Sequence, residues 1–129
     1  MTSNQSHKRR GKGFEVDLLK WLRDRGYQAE RLALAGKDDE GDLVVMIDGG
    51  VYLVLEAKAP GANGKIDLSG WSREAETEAK NFAKARNLSD DKVKWLVVIK
   101  ARGKGIDYAY TVSRLGNEFP SIRTEDNNE

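Results

Sequence analysis

The chain has 129 residues, a formal net charge of +1, 33% charged residues and no cysteine. That length suits one domain able to bury its own core. The absence of cysteine excludes disulfides, thiolate zinc sites and a cysteine nucleophile, and the single histidine, His7, excludes a multi-histidine metal centre and disfavours a histidine-based triad.

A bound metal would therefore need oxygen ligands, which favours magnesium or manganese. The near-neutral global charge says little about partners. Locally, Lys8, Arg9, Arg10 and Lys12 form one basic cluster, and Arg102 with Lys104 a smaller one. Such clusters are ordinarily solvated surface. They become a phosphate footprint only beside a site that acts on phosphates.

In chain order, residues 1–10 are polar and without periodicity and read as a disordered basic tail. One folded domain is expected over 11–120, followed by a polar tail over 121–129. Phe14, Leu18, Trp21 and Leu22 recur at helical spacing and predict a helix from Lys12 to Arg25, stopped by Gly26. Tyr27 to Leu34 reads as a strand with Leu32 and Leu34 on one face and Ala29, Arg31 and Ala33 on the other. A charged loop over 36–41 leads into an apolar strand over 42–47. Asp48-Gly49-Gly50 is a hairpin turn, and 51–58 is the returning strand, apolar until Glu56 and Lys58. Residues 60–65 are glycine-rich. A second helix from Leu68 or Ser69 to about Asn87 buries Trp71, Ala75, Ala79, Phe82 and Ala83. Residues 93–100 form a strand buried on both faces, and 107–112 a last strand. The expected architecture is an α/β or α+β sandwich: a five-stranded mixed sheet flanked by helices.

The hairpin gathers the chemistry. If all of Asp48-Gly49-Gly50 forms the loop, Ile47 faces Val51, and counting outward sets Asp42 opposite Glu56. A Gly49-Gly50 loop would instead set Asp42 opposite Ala57 and turn its side chain to the other face. We expect the longer loop. Glu56 and Lys58, two apart, share a face. Asp42 and Glu56 can then ligate a divalent metal, with the main-chain carbonyl of Ala57 as another donor, while Lys58 orients water or stabilises charge on a phosphate. Taken singly, an Asp at a strand start is commonly a turn residue, and a Glu-x-Lys a solvated strand face. Interrupting an apolar strand, however, the pair is costly unless it is matched or ligating.

Gly41-Asp42 followed by Glu56-Ala57-Lys58 resembles the Asp…Glu-x-Lys signature of PD-(D/E)xK nucleases. Lys12-Gly13-Phe14-Glu15, Leu18-Leu19 and Arg25-Gly26-Tyr27 resemble the opening helix of archaeal-type and phage Holliday-junction resolvases. The likeness spans about 11–100. Gly41 departs from the proline of the signature, at a position that shapes the turn and supplies no ligand. The glycine-rich loop over 60–64 is a second departure and leaves the substrate-facing loop unassigned.

The resemblance implies a restriction-endonuclease-like core and a magnesium- or manganese-dependent endonuclease that acts on branched DNA in recombination and repair. It implies catalytic Asp42, Glu56 and Lys58, with Glu15 as a third acid and metal ligand. Arg31 is similar to an arginine often found on the following strand. DNA contacts fall to Lys8, Arg9, Arg10, Lys12, Arg31, Arg102 and Lys104. A two-fold symmetric junction favours a homodimer. The expected compartment is the cytoplasm of a prokaryote or a phage-infected host, since no apolar run approaches a membrane span and 1–13 lacks a secretory signal's apolar stretch.

Glu78, or Glu74 one turn earlier, is a candidate accessory group on the second helix. The alternative, slightly preferred, is a surface acid paired with Lys80 or Lys84. Trp21, Trp71 and Trp95 are assigned to the core. The glycine-rich loop lacks the ending of a phosphate-cradling loop, which disfavours nucleotide hydrolysis. The rival functions are another nuclease on the same fold (restriction-type, flap or repair), a catalytically inactive DNA-binding module, and a structural interaction protein.

Overall fold

The computed structural model describes residues 3–32 and 41–122, with side chains from Gly13 onward. Helix α1 (Ser3–Asp24) is followed by strands β1 (Gln28–Arg31), β2 (Leu43–Ile47) and β3 (Val51–Lys58). Then come helix α2 (Leu68–Ala85), strands β4 (Val93–Ile99) and β5 (Tyr110–Val112), and one short turn of helix, α3 (Leu115–Glu118). The strands form one sheet in the order β1-β2-β3-β4-β5. Among the described strands, β3 and β4 are the parallel pair, joined by the α2 crossover that parallel neighbours require. The expected mixed five-stranded sheet is therefore present.

Alternation along β3 divides the protein into two cores. Val54 packs with Ala75, Ala79, Phe82, Trp95 and Val97 under α2. Its neighbour Leu55 packs with Phe14, Leu18, Leu43, Val45 and Val98 under α1. The two helices therefore cover opposite faces of the sheet. Trp95 is core, as expected, whereas Trp21 and Trp71 are only half buried, with Arg25 over the Trp21 ring at 3.8 Å.

Three boundaries differ from the sequence reading. Helix α1 begins at Ser3 rather than Lys12, so the backbone of residues 3–10, expected to be a disordered tail, is helical. Gln, Lys and Arg are good helix formers, and extending an existing helix costs far less than starting one. The side chains of Lys8, Arg9, Arg10 and Lys12 lie outside the described residues, as do Leu34 and the charged loop. The last strand begins at Tyr110 because Ile106–Tyr108 form a 3-10 turn instead. A single helical turn, α3, occupies Leu115–Glu118, where no element is expected. Among the described residues, no helix is long and apolar enough to cross a membrane.

Candidate active site

The hairpin register is the one set by the longer loop. Ile47 pairs with Val51, and the ladder runs to Leu43 opposite Leu55. Asp48–Gly50 form the turn, with positive φ at Gly49 and Gly50 supplied without steric cost by glycine. One step beyond the last pair, Asp42 faces Glu56 and is pinned on both flanks of it. The Asp42 amide donates to the Leu55 carbonyl at 3.1 Å, and the Ala57 amide donates to Asp42 Oδ2 at 2.8 Å. On its other side, the Asp42 carbonyl accepts from the Leu32 amide at 2.9 Å. These contacts leave Asp42 little freedom before any ligand arrives.

Gly41 makes this corner possible. Its φ is +104°, and a Cβ built there would lie 2.6 Å from Val54 Cγ1. Proline, fixed near φ −65°, does not fit this backbone. The departure from the signature is therefore a requirement of the local turn.

Glu56 and Lys58 point to the α2 side of the sheet, together with Val54. Glu56 is 5% exposed. The Lys58 ammonium lies 3.0 Å from Glu56 Oε2 and donates to Glu74 Oε1 at 2.8 Å. It also stands 5.8 Å from the Trp71 ring centroid. Among the described residues, no hydrogen-bond partner reaches the buried Glu56 Oε1. Burial, then the Asp42 charge and Glu78, push the Glu56 carboxyl up to about 11. For Lys58, burial pulls downward, but Glu74 and Glu56 outweigh it and hold the ammonium above its ordinary value.

Helix α2 contributes more than the sequence suggested. Glu78 is 2% exposed, within the stripe that also buries Ala75, Ala79 and Phe82, so it is not a surface acid. Carboxylate oxygens of Glu56, Glu74 and Glu78 all lie within 4.8 Å of one another. Asp42 does not belong to that cluster, although its charge acts on Glu56. The position of Glu78 on the apolar stripe of an amphipathic helix makes it a candidate from the sequence, although a surface acid is the slightly preferred reading there. Only packing shows where it points.

Glu15 lies on α1, the helix that packs on the sheet face opposite α2. Its carboxylate is 3.6 Å from the half-exposed Arg31 guanidinium, so the two residues associate with each other on that side. Arg102 and Lys104 are exposed at the end of β4. They line a groove with Pro60, Gly64, Ile66 and Tyr110, which places the unassigned glycine-rich loop beside them. That groove lies at the strand end carrying Lys58, the β3 partner of Ile99.

A raised carboxyl has a stability consequence. In the metal-free chain, folded Glu56 keeps a proton between its unfolded value near 4.5 and about 11, whereas the unfolded chain has lost it. Stability from this group is complete below about 4.5 and falls as pH rises through that window. Glu56→Gln is therefore expected to be more stable than wild type at pH 8 in chelator, by at least about 1 kcal/mol or on the order of 4 °C in Tm. The gap should close near pH 4.5. Thermal melts that show equal stability at pH 8 would contradict this electrostatic picture.

Comparison with known proteins places the site in context. Residues 6–86 match the family model described as archaeal Holliday junction resolvase (Hjc), a stretch containing every acid described above. Among solved structures, Hjc of Archaeoglobus fulgidus, a Holliday junction resolvase from an archaeal hyperthermophile, is 23% identical to this chain. That likeness covers 71% of this chain and 68% of that one, with a TM-score of 0.47. No curated protein matches.

Proposed function

The chain belongs to the archaeal Holliday junction resolvase family, and on that footing we propose that it is a divalent-metal-dependent nuclease. In this reading it cuts four-way DNA at the strand ends carrying Asp42, Glu56 and Lys58. The observation that carries the site assignment is the meeting of a buried carboxyl group and an ammonium 3.0 Å apart, next to an aspartate held by the Ala57 amide. Matched acids and a lysine in a DNA-cutting family need a cation to offset phosphate repulsion, and the residues fit one. Among the described residues, no hydrogen-bond partner reaches the buried Glu56 Oε1, and the donor set is entirely oxygen, which suits magnesium or manganese.

Asp42 and Glu56 would hold the ion, with the Ala57 carbonyl as a further donor. When bound, a metal of this kind polarises a phosphodiester and lowers the pKa of water. Lys58 supplies a positive charge on a rigid strand, where it stabilises charge developing on the phosphate or orients the attacking water. Asp42, already fixed by its main-chain and side-chain bonds, needs no reorganisation to take its part. Lys8, Arg9, Arg10, Lys12, Arg31, Arg102 and Lys104 grip phosphates. A two-fold symmetric substrate cut in pairs calls for a homodimer. An enzyme of this kind would act in the cytoplasm of a prokaryote or a phage-infected host.

The test is a panel of linear, flapped and four-way DNA, with magnesium or with chelator. Paired cuts confined to the four-way substrate and dependent on metal are the expected outcome. Preferential cutting of flaps or linear DNA would assign a different nuclease activity, and binding without metal-dependent cleavage would leave a DNA-binding module.

A further inference from the structure

Two acids one turn apart on α2 reach across to β3. Glu74 and Glu78 share a helix face by their i,i+4 spacing. Glu78 sits deep, 2% exposed, and a Cβ on Gly41 would stand 3.7 Å from its Oε1, so its carboxylate comes against the Gly41–Asp42 corner. Glu74 is half exposed at the mouth. With Glu56 they offer oxygens that all lie within 4.8 Å of one another. Oxygens on opposite sides of a bound magnesium ion are about 4.2 Å apart, and of calcium about 4.8 Å, so three oxygens this close can reach one ion. Among the described residues no donor reaches the buried Glu56 Oε1, a second sign that a ligand belongs here.

Among the described residues, the Lys58 ammonium stands against this group of acids, bonded to Glu74 at 2.8 Å and 3.0 Å from Glu56. We propose that Glu56, Glu74 and Glu78 form a divalent-cation site, and that the Lys58 ammonium occupies it while no metal is bound. This rests on the metal-dependent nuclease reading and adds to it: α2 takes part in metal binding, and Lys58 is freed toward the phosphate when the ion arrives. Lys58 then serves as a stand-in cation in the resting protein and as a catalytic group in the loaded one.

Titration of the metal-free full chain with Mn2+ alone, by calorimetry and by electron paramagnetic resonance of the unbound ion, tests the site without any cleavage assay. Glu74→Gln and Glu78→Gln are each expected to weaken binding by about tenfold or more, or to remove a bound equivalent, since charge count sets affinity at such sites. Glu76→Gln, on the same helix but outside the cluster, should bind as wild type. Lys58→Met should bind Mn2+ several-fold more tightly, because the competing ammonium is gone. A merely structural lysine would not produce that gain. Glu74 is half exposed, so folding of its variant is not at stake, and circular dichroism checks Glu78→Gln. If either glutamine variant binds like wild type, or Lys58→Met shows no tightening, the proposal is overturned. If wild type also cuts four-way DNA in magnesium, only the α2 site is lost. If wild type neither binds Mn2+ nor cuts, the nuclease reading falls with it.

Discussion

Asp42→Asn is expected to slow single-turnover cleavage of four-way DNA in magnesium by on the order of 1,000-fold while leaving the fold intact. Asparagine keeps an oxygen able to accept from the Ala57 amide, which now donates to Asp42 Oδ2 at 2.8 Å, so the corner of the hairpin persists. What disappears is a formal negative charge beside Glu56. Losing a ligand charge at a catalytic metal removes several kcal/mol of transition-state stabilisation, and each 1.36 kcal/mol is about tenfold in rate. Lys58→Ala should cost roughly 100- to 1,000-fold, the usual scale for removing one preorganised positive or donor group. It also strips the cation from Glu56 and Glu74, so its apparent metal affinity should rise while its rate falls. Quench-flow rates that stay at the wild-type level in both variants would remove the chemical role assigned to these residues.

The second large effect concerns stability. Gly41→Ala should lower unfolding free energy by about 3 kcal/mol, the sum of a left-handed backbone penalty and an overpacked core. The backbone there has φ +104°, and the new methyl would meet Val54 Cγ1 at 2.6 Å. Val54 has no exposed surface and lies between sheet and α2, so it has no room to retreat. Gly41→Pro, which restores the residue of the nuclease signature, should be worse than alanine, because the ring fixes φ with the opposite sign. Urea unfolding measures both, and a wild-type midpoint for either would show that this backbone relaxes more readily than its packing suggests. Because Gly41 precedes Asp42, the same variants should lose cleavage beyond what their stability explains.

The physical distance over which each feature is decided separates what could be read early from what could not. The sheet, the two main helices and the Asp42–Glu56 pairing follow from short-range rules. Period-two and period-3.6 patterns mark the elements, and a three-residue turn with two glycines sets the register by counting. Glu56 and Lys58 share a face because they are two apart on one strand. The early start of α1 and the late start of β5 were missed because capping and end fraying depend on weak local preferences.

The sequence by itself therefore determined the order of elements, the two-faced sheet and the carboxylate–ammonium pair on β3. Only the tertiary structure decided that Glu78 is buried at the site rather than exposed toward Lys80, that Glu74 shares the Lys58 ammonium, and that Glu15 meets Arg31 across the sheet from α2. The reason is rotation. A helix stripe shows which side is apolar, but the rotation and depth of α2 are set by interlocking with Val54, Trp95 and Val97, from strands far along the chain. A shift of one residue in that packing would carry Glu78 away from Glu56, and no local pattern records it.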